Sequence, residues 1–174
     1  MNGIDFGEKF KFAHLTPRQI DICKRLDNFY KQNRFRPLKP QPSEIFIGAI
    51  YAMQKGLRNN PDWISQVANS LRELLYPIWT EVRRCQNKSD LIKKKLKEKG
   101  YLLIEDVFDE IEEVYGKLND LAHHGVELKI FSEEEFMNFG EQDFEKLVDQ
   151  FEKSMFSAFS LTLDIFRQID NLLL

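Results

Sequence analysis

Apolar side chains recur every three or four residues through most of this chain, which is the spacing of one face of an α-helix. The clearest such stretch runs from about residue 103 to residue 123 or 124, and Gly125 is predicted to end it. Its apolar stripe consists of Ile104, Val107, Phe108, Ile111, Val114, Tyr115, Leu118, Leu121 and Ala122. Strand patterns are nearly absent and no internal repeat is visible. We therefore predict an all-α protein, an antiparallel bundle of about four to six helices.

Capping signals predict where the first two helices begin. Residues 16–19 read Thr-Pro-Arg-Gln, a capping box with proline in the first turn, and predict a helix that ends near Lys31. Ser43 is predicted to cap a second helix over about 44–57. Three prolines in the intervening segment 33–42 exclude a helix there and predict an extended, basic and exposed connector.

Three further signals divide the rest of the chain. Residues 60–62 read Asn-Pro-Asp and predict the start of a third helix, which Pro77 is expected to kink or split. Residues 132–135 form a second capping box, and phenylalanines on either side of it are placed for a hydrophobic staple. The last helix is predicted from about Asp143 to the C-terminus, with a break at Gly140.

These elements are interpreted as one helical domain over 1–174. Residues 1–42 supply the N-terminal helix and the proline-rich basic connector, and residues 43–174 supply the main bundle. From Met155 onward the last helix is apolar on more than one face. We expect this part either to be central in the bundle or to contact a second subunit.

Several classes of protein are disfavoured by what the sequence lacks. There is no glycine-rich phosphate loop, so we expect no nucleotide cofactor of the dinucleotide or P-loop type. The longest apolar runs are far shorter than the ~20 residues that span a bilayer, and no secretory signal segment opens the sequence. Cys23 and Cys85 match no metal-binding spacing. These features predict a soluble cytoplasmic protein without a cofactor.

Charge is divided unevenly along the chain. Residues 1–100 hold twenty basic and ten acidic residues, a net charge of +10, whereas residues 101–174 hold five and eighteen, a net charge of −13. The basic half is a candidate surface for nucleic-acid phosphates. Its proposed RNA contacts are Arg83, Arg84, Lys93, Lys94 and Lys95. The alternatives are a solvated surface, or basic helices that pair with acidic ones within the bundle or across a dimer.

One polar group at the end of the 103–124 helix is a candidate site. Asn119 and His123 are one turn apart on the same face, so both side chains can reach a common target. His124 is expected to point elsewhere, beside Lys117 and Asp120, and is a secondary candidate together with Lys117. The alternative is that these histidines only stabilise the helix dipole. Neighbouring histidines on one helix diverge, so we predict no metal site.

A second candidate is Arg72 in the third predicted helix. It follows Leu71 directly and lies at the border of that helix's apolar stripe, where a cation needs a partner. An ordinary explanation is an ion pair with a nearby acidic residue such as Glu105 or Glu112. The other is a role in the site formed by Asn119 and His123.

Together these segments resemble the HEPN superfamily (higher eukaryotes and prokaryotes nucleotide-binding) of helical-bundle proteins. The resemblance lies in the helix that opens with residues 60–63 and reads Ser-Leu-Arg-Glu-Leu-Leu at 70–75, followed by the helix that ends with residues 118–125. The family's active motif is Arg, a polar residue that is often Asn, three further residues and His. Asn119 and His123 match this spacing, but the position of the motif arginine is Leu118. Either Arg72 supplies the missing charge or the site is inactive.

The resemblance implies metal-independent cleavage of RNA in a prokaryotic antiviral or toxin–antitoxin system. His123 would act as acid or base, Asn119 would orient the phosphate or the imidazole, and Arg72 would stabilise the developing charge. In the family two protomers form a composite site, which implies a homodimer. The alternative is a catalytically inactive module of the same fold that binds an antitoxin or a larger defence protein. An unrelated helical adaptor is the third hypothesis.

Overall fold

A computed structural model describes residues 14–54, 58, 60–86, 103–126 and 128–160 of the chain. These residues form helices and connecting loops, with no strand among them. The helices are α1 (Pro17–Gln32), α2 (Pro42–Ala52), α3 (Trp63–Gln86), α4 (Leu103–Ala122), α5 (Glu133–Asn138) and α6 (Glu141–Ser160). The predicted all-α class is confirmed.

Helix α3 occupies the middle of the bundle and packs against α2, α4 and α6. Ser65 near its start donates a hydrogen bond to the Ala122 carbonyl at the end of α4, while Arg83 near its end faces Glu112 earlier in α4. The α3–α4 pair is therefore antiparallel. The largest fully buried side chains of this pair are Leu71, Leu74 and Leu75 of α3 and Ile111 and Leu118 of α4. Each contributes about 1.5–3 kcal/mol by burial.

The predicted start of α1 is confirmed. The Thr16 hydroxyl accepts a hydrogen bond from the Gln19 backbone N–H at 3.2 Å, and the Gln19 side chain accepts one from the Thr16 N–H at 2.9 Å. In the connector that follows, Phe35 is partly buried, and its ring centroid lies 5.9 Å from that of Phe29 and 5.3 Å from that of Tyr30. The arginines beside it are exposed as predicted. The connector thus packs against the core through Phe35 and Leu38.

Two predictions about α2 are wrong. Ser43 does not cap the helix, because its hydroxyl donates to Asp27 of α1 at 2.6 Å and its side chain is buried. The capping residue is Gln41, whose backbone N–H donates to the Glu44 carboxylate at 2.8 Å. The helix ends at Ala52, earlier than the predicted end near residue 57. The Ser43 hydroxyl instead bonds a residue of another helix, a contact that no local sequence pattern predicts.

Of the two effects expected at Pro77, a kink or a split, the split does not occur, since α3 is a single helix from Trp63 to Gln86. Proline cannot donate to the carbonyl one turn before it, here that of Glu73. The next carbonyl, of Leu74, accepts a hydrogen bond from the buried Tyr30 hydroxyl. Burial raises the pKa of Tyr30, so this hydroxyl remains a donor at neutral pH. At the proline, α3 therefore continues without interruption and is bonded to α1 through Tyr30.

Two other predicted helix starts are close to those observed. The Asn60 side chain accepts a hydrogen bond from the Asp62 N–H at 3.1 Å just before α3. Residues 132–135 form the capping box of α5. The flanking rings of Phe131 and Phe136 lie 6.0 Å apart, so the hydrophobic staple is present.

Arg58 connects the segment before α3 to α6. Its guanidinium lies 2.7 Å from the Glu141 carboxylate, 2.9 Å from that of Glu145 and 4.6 Å from the centre of the Trp63 ring. The Glu145 hydrogen bond is the main cause that raises the pKa of Arg58. This arginine is structural, since its side chain is only 11% exposed.

Helix α6 begins at Glu141, directly after the break predicted at Gly140. The basic segment 89–99 and the apolar residues after 160 lie outside the described residues, as do the predictions made for them. In the part of the chain that is described, no helix has the length and apolar character needed to cross a membrane.

Candidate functional site

A polar face of α3 lies against the C-terminal end of α4. Asp62 just before α3 and Ser65, Asn69 and Arg72 within it recur at intervals of three or four residues and share one side of the helix. Since the two helices are antiparallel, this face meets the last turns of α4, where Asn119 is located.

Arg72 is the centre of a cluster of five polar side chains. Its Nη1 lies 2.7 Å from His123 Nε2 and 3.4 Å from Asn119 Oδ1. Its Nη2 donates to Asn69 Oδ1 and to Glu73 Oε1, each at 2.9 Å. The arginine side chain is 17% exposed. The structure therefore places the three residues predicted as catalytic from sequence in direct contact.

The contact between Arg72 and His123 assigns the protonation of the imidazole. A guanidinium can only donate hydrogen bonds, so His123 Nε2 must accept with its lone pair. The neutral ring then carries its proton on Nδ1, an assignment that follows from the hydrogen bond. Because the His123 side chain is exposed, a solvent-borne substrate can reach it. A neutral, accessible imidazole can take up a proton.

A cavity of about 280 Å³ opens beside this cluster, lined by Asn119, His123, Val126 and Lys129. Sequence reasoning missed Lys129, which follows the helix in a loop without periodicity. Its side chain is exposed, and among the described residues it forms no ion pair. The cavity is therefore lined by one basic side chain and one imidazole, residue types suited to an anionic ligand.

Asp120 fixes the loop that carries Lys129. Its carboxylate is fully buried and accepts hydrogen bonds of 2.9–3.2 Å from the backbone N–H groups of Lys129, Ile130 and Phe131. Gly116, one turn earlier, leaves room for the loop, because a Cβ there would overlap the Ile130 side chain. The position of Lys129 is thus determined by α4 itself.

Replacing Asp120 with alanine is expected to lower the free energy of unfolding by about 3 kcal/mol, because three backbone N–H groups lose a buried, charged acceptor. For a chain of this size that corresponds to a fall of about 6–12 °C in melting temperature, measurable by circular dichroism. Asp109→Ala on the exposed side of α4 is the matched control and should change stability little. Equal melting temperatures for both variants would show that the carboxylate does not hold the loop.

His124 does not lie where it was predicted. Its backbone has a φ of 54° and Gly125 has a φ of 67°, so the chain turns sharply and the side chain leaves the α4 surface. His124 Nε2 lies 3.5 Å from Asp62 Oδ1 and 3.4 Å from Ser65 Oγ, at the start of α3. The expected location beside Lys117 and Asp120 is wrong, because the left-handed residue redirects the ring.

Lys117, the other secondary candidate, is also separate from the Arg72 cluster. Its ammonium forms an ion pair of 2.6 Å with Glu113, one turn earlier in α4. It lines a different cavity of about 380 Å³, whose wall includes Phe131 and Phe139. The structure therefore gives Lys117 no contact with His123.

The basic residues proposed to bind RNA are paired where they are described. Arg83 Nε lies 3.5 Å from Glu112 of α4, and Arg84 Nε lies 2.8 Å from Glu81 within α3. The Arg83–Glu112 pair is of the kind expected if basic and acidic helices pair within the bundle. The remaining candidates, Lys93, Lys94 and Lys95, lie outside the described residues.

Comparison of this chain with protein-family models, curated proteins and solved structures finds no match. Within the described part of that chain, no group of three or more His, Cys, Asp or Glu side chains is placed to hold a metal ion.

Proposed function

We propose that this protein is an HEPN-like endoribonuclease that cleaves RNA without a metal ion, through Arg72, Asn119 and His123. The observation that carries the proposal is the 2.7 Å contact between Arg72 of α3 and His123 of α4. It supplies a cation at a site whose sequence motif has the buried Leu118 in place of arginine. A homodimer acting in a prokaryotic defence or toxin–antitoxin setting belongs to the same proposal.

The proposed reaction uses the 2′-hydroxyl of the substrate as nucleophile. A bound phosphate draws the Arg72 guanidinium away from His123 Nε2, and the freed lone pair accepts the proton of the 2′-hydroxyl. The 2′-oxygen forms a bond to phosphorus while the bond from phosphorus to the 5′-oxygen breaks. The leaving 5′-oxygen takes a proton from solvent water. The products are a 2′,3′-cyclic phosphate and a 5′-hydroxyl.

The remaining residues of the site are suited to the phosphoryl group. Once the guanidinium has left His123, Arg72 Nη1 can donate to phosphate oxygens, while Nη2 keeps its hydrogen bonds to Asn69 and Glu73. The Asn119 side chain is held within 3.4 Å of that guanidinium and lines the same cavity as Lys129. Negative charge that develops on the phosphoryl oxygens would be stabilised by the Arg72 guanidinium and the Asn119 amide, with Lys129 lining the same cavity.

A catalytically inactive interaction module is the second candidate. It is favoured by the contacts that Arg72 already makes, since Asn69 and Glu73 occupy its second nitrogen at 2.9 Å. In that case the guanidinium is a structural link between α3 and α4, and the surface around it binds an antitoxin or a larger defence protein.

Incubation of the purified protein with labelled RNA and with DNA of the same sequence, in excess EDTA, distinguishes the two functions. We expect cleavage of the RNA only, because DNA lacks the 2′-hydroxyl. Intact RNA would contradict the ribonuclease proposal and leave the interaction module as the remaining candidate function. Equal cleavage of both strands would contradict the 2′-hydroxyl mechanism.

A further inference from the structure

An aromatic cluster lies on the α3–α4 surface directly beside the proposed site. The rings of Trp79 and Tyr115 are stacked, with centroids 4.1 Å apart and planes inclined by 16°. The Tyr76 ring lies 5.8 Å from that of Trp79 and 6.2 Å from that of Tyr115. Tyr76 is 50% exposed, whereas the other two residues are partly buried. We call these three residues the aromatic cluster.

The aromatic cluster adjoins the catalytic candidates on both helices. Tyr76 follows Arg72 by one turn of α3, a distance of about 6 Å along the helix axis. Tyr115 precedes Asn119 by one turn of α4. On the far side, the Arg83 guanidinium lies 5.0 Å from the centre of the Trp79 ring. An exposed ring is therefore flanked along α3 by two arginines.

The exposed Tyr76 ring packs against the two partly buried rings of the cluster. Tyr76 and Trp79 both lie on α3, and Trp79 is stacked on Tyr115 of the neighbouring helix. Burial raises the pKa of the Tyr115 hydroxyl, which keeps this residue uncharged at neutral pH. The cluster thus presents a neutral aromatic surface on two packed helices, and Tyr76 is its exposed member.

We propose that Tyr76 stacks on an unpaired base of the RNA, next to the phosphate held at Arg72 and His123. This inference rests on the proposed function and specifies its substrate class as single-stranded RNA. Bases in a single strand expose their faces to aromatic side chains, whereas bases in a duplex stack on one another. The flanking arginines, which are also paired with Glu73 and Glu112, add positive charge beside the exposed ring and favour a polyanion over an apolar protein segment.

Binding measurements in a His123→Ala background test the inference separately from catalysis. A fluorescent single-stranded RNA and the matching duplex are titrated in EDTA against proteins that also carry Tyr76→Ala or Tyr76→Phe. Stacking contributes about 1–3 kcal/mol per base, so we expect Tyr76→Ala to weaken single-strand binding by at least about fivefold. Tyr76→Phe retains the ring and should bind within about twofold of the parent, because its π-face is unchanged.

Duplex binding should be nearly the same in all three proteins. Unchanged single-strand binding by Tyr76→Ala would overturn the inference, as would an equal loss for single strand and duplex. The oligomeric state of each variant is measured by sedimentation. If Tyr76→Ala dissociates a dimer and leaves RNA affinity unchanged, the ring contacts another subunit and the proposal is overturned. RNA cleavage that does not depend on Tyr76 would overturn only the stacking, whereas Tyr76-dependent binding without any wild-type cleavage would overturn only the ribonuclease.

Discussion

Replacement of His123 with alanine is expected to lower the rate of RNA cleavage in EDTA by about 10²–10⁴-fold, the usual contribution of a positioned acid–base group. Alanine removes the only imidazole that Arg72 contacts. The measurement is single-turnover cleavage of an end-labelled RNA, with protein in excess. Circular dichroism should show an unchanged fold, because the His123 side chain is exposed.

His124→Ala is the matched control for this variant. Its ring is next in sequence and 65% exposed, but it faces Asp62 and Ser65 rather than Arg72. We expect its cleavage rate to stay within a few-fold of the wild type. Equal rates and equal products from the His123 and His124 variants would refute the assignment of His123.

Replacement of Arg72 with glutamine is expected to lower the cleavage rate by about 10²–10³-fold, because the developing phosphoryl charge loses its principal donor. Lysine should restore only a minor part, since one ammonium cannot reproduce the fork that now contacts His123, Asn119 and Glu73. The quantities measured are kcat and KM for single-stranded RNA in EDTA.

Arg83→Gln provides the comparison on the same helix. Arg83 is 55% exposed and touches none of the catalytic candidates, so its loss should weaken RNA binding modestly and leave kcat unchanged. A wild-type kcat in Arg72→Gln would show that the guanidinium acts only as a structural link between α3 and α4.

Much of the fold follows from local sequence patterns. The capping box at Thr16 and the apolar stripe that ends before Gly125 locate α1 and α4 to within about two residues, because caps and periodicity act over a single turn. Two departures from these predictions involve contacts between helices. Ser43 binds Asp27 of another helix, and the helix around Pro77 continues where Tyr30 donates to a neighbouring carbonyl.

Part of the candidate site likewise follows from local sequence patterns, and part does not. The spacing of Asn119 and His123 shows that they share a helix face, and the position of Arg72 beside an apolar stripe shows that it needs a partner. The approach of Lys129 depends on three backbone N–H groups that converge on Asp120 in a loop, and no periodic pattern records such a contact. The direction of His124 depends on one left-handed residue.

The uneven charge of the chain is partly compensated by ion pairs within the bundle. Basic residues of the first half pair with acidic residues of the second: Arg18 with Asp149, Arg58 with Glu141, and Arg83 with Glu112. Arg72 likewise brings a cation to the acidic helix α4. A site on the acidic half is therefore compatible with an anionic substrate, since its positive charge comes from α3 and from Lys129.

The most direct test is the chemical identity of the ends produced when the wild-type protein cleaves RNA in EDTA. We predict a 2′,3′-cyclic phosphate on one fragment and a 5′-hydroxyl on the other, identified by mass spectrometry and absent with His123→Ala. A 3′-hydroxyl with a 5′-phosphate, or RNA that remains intact, would contradict the proposal that Arg72, Asn119 and His123 cleave RNA through its own 2′-hydroxyl.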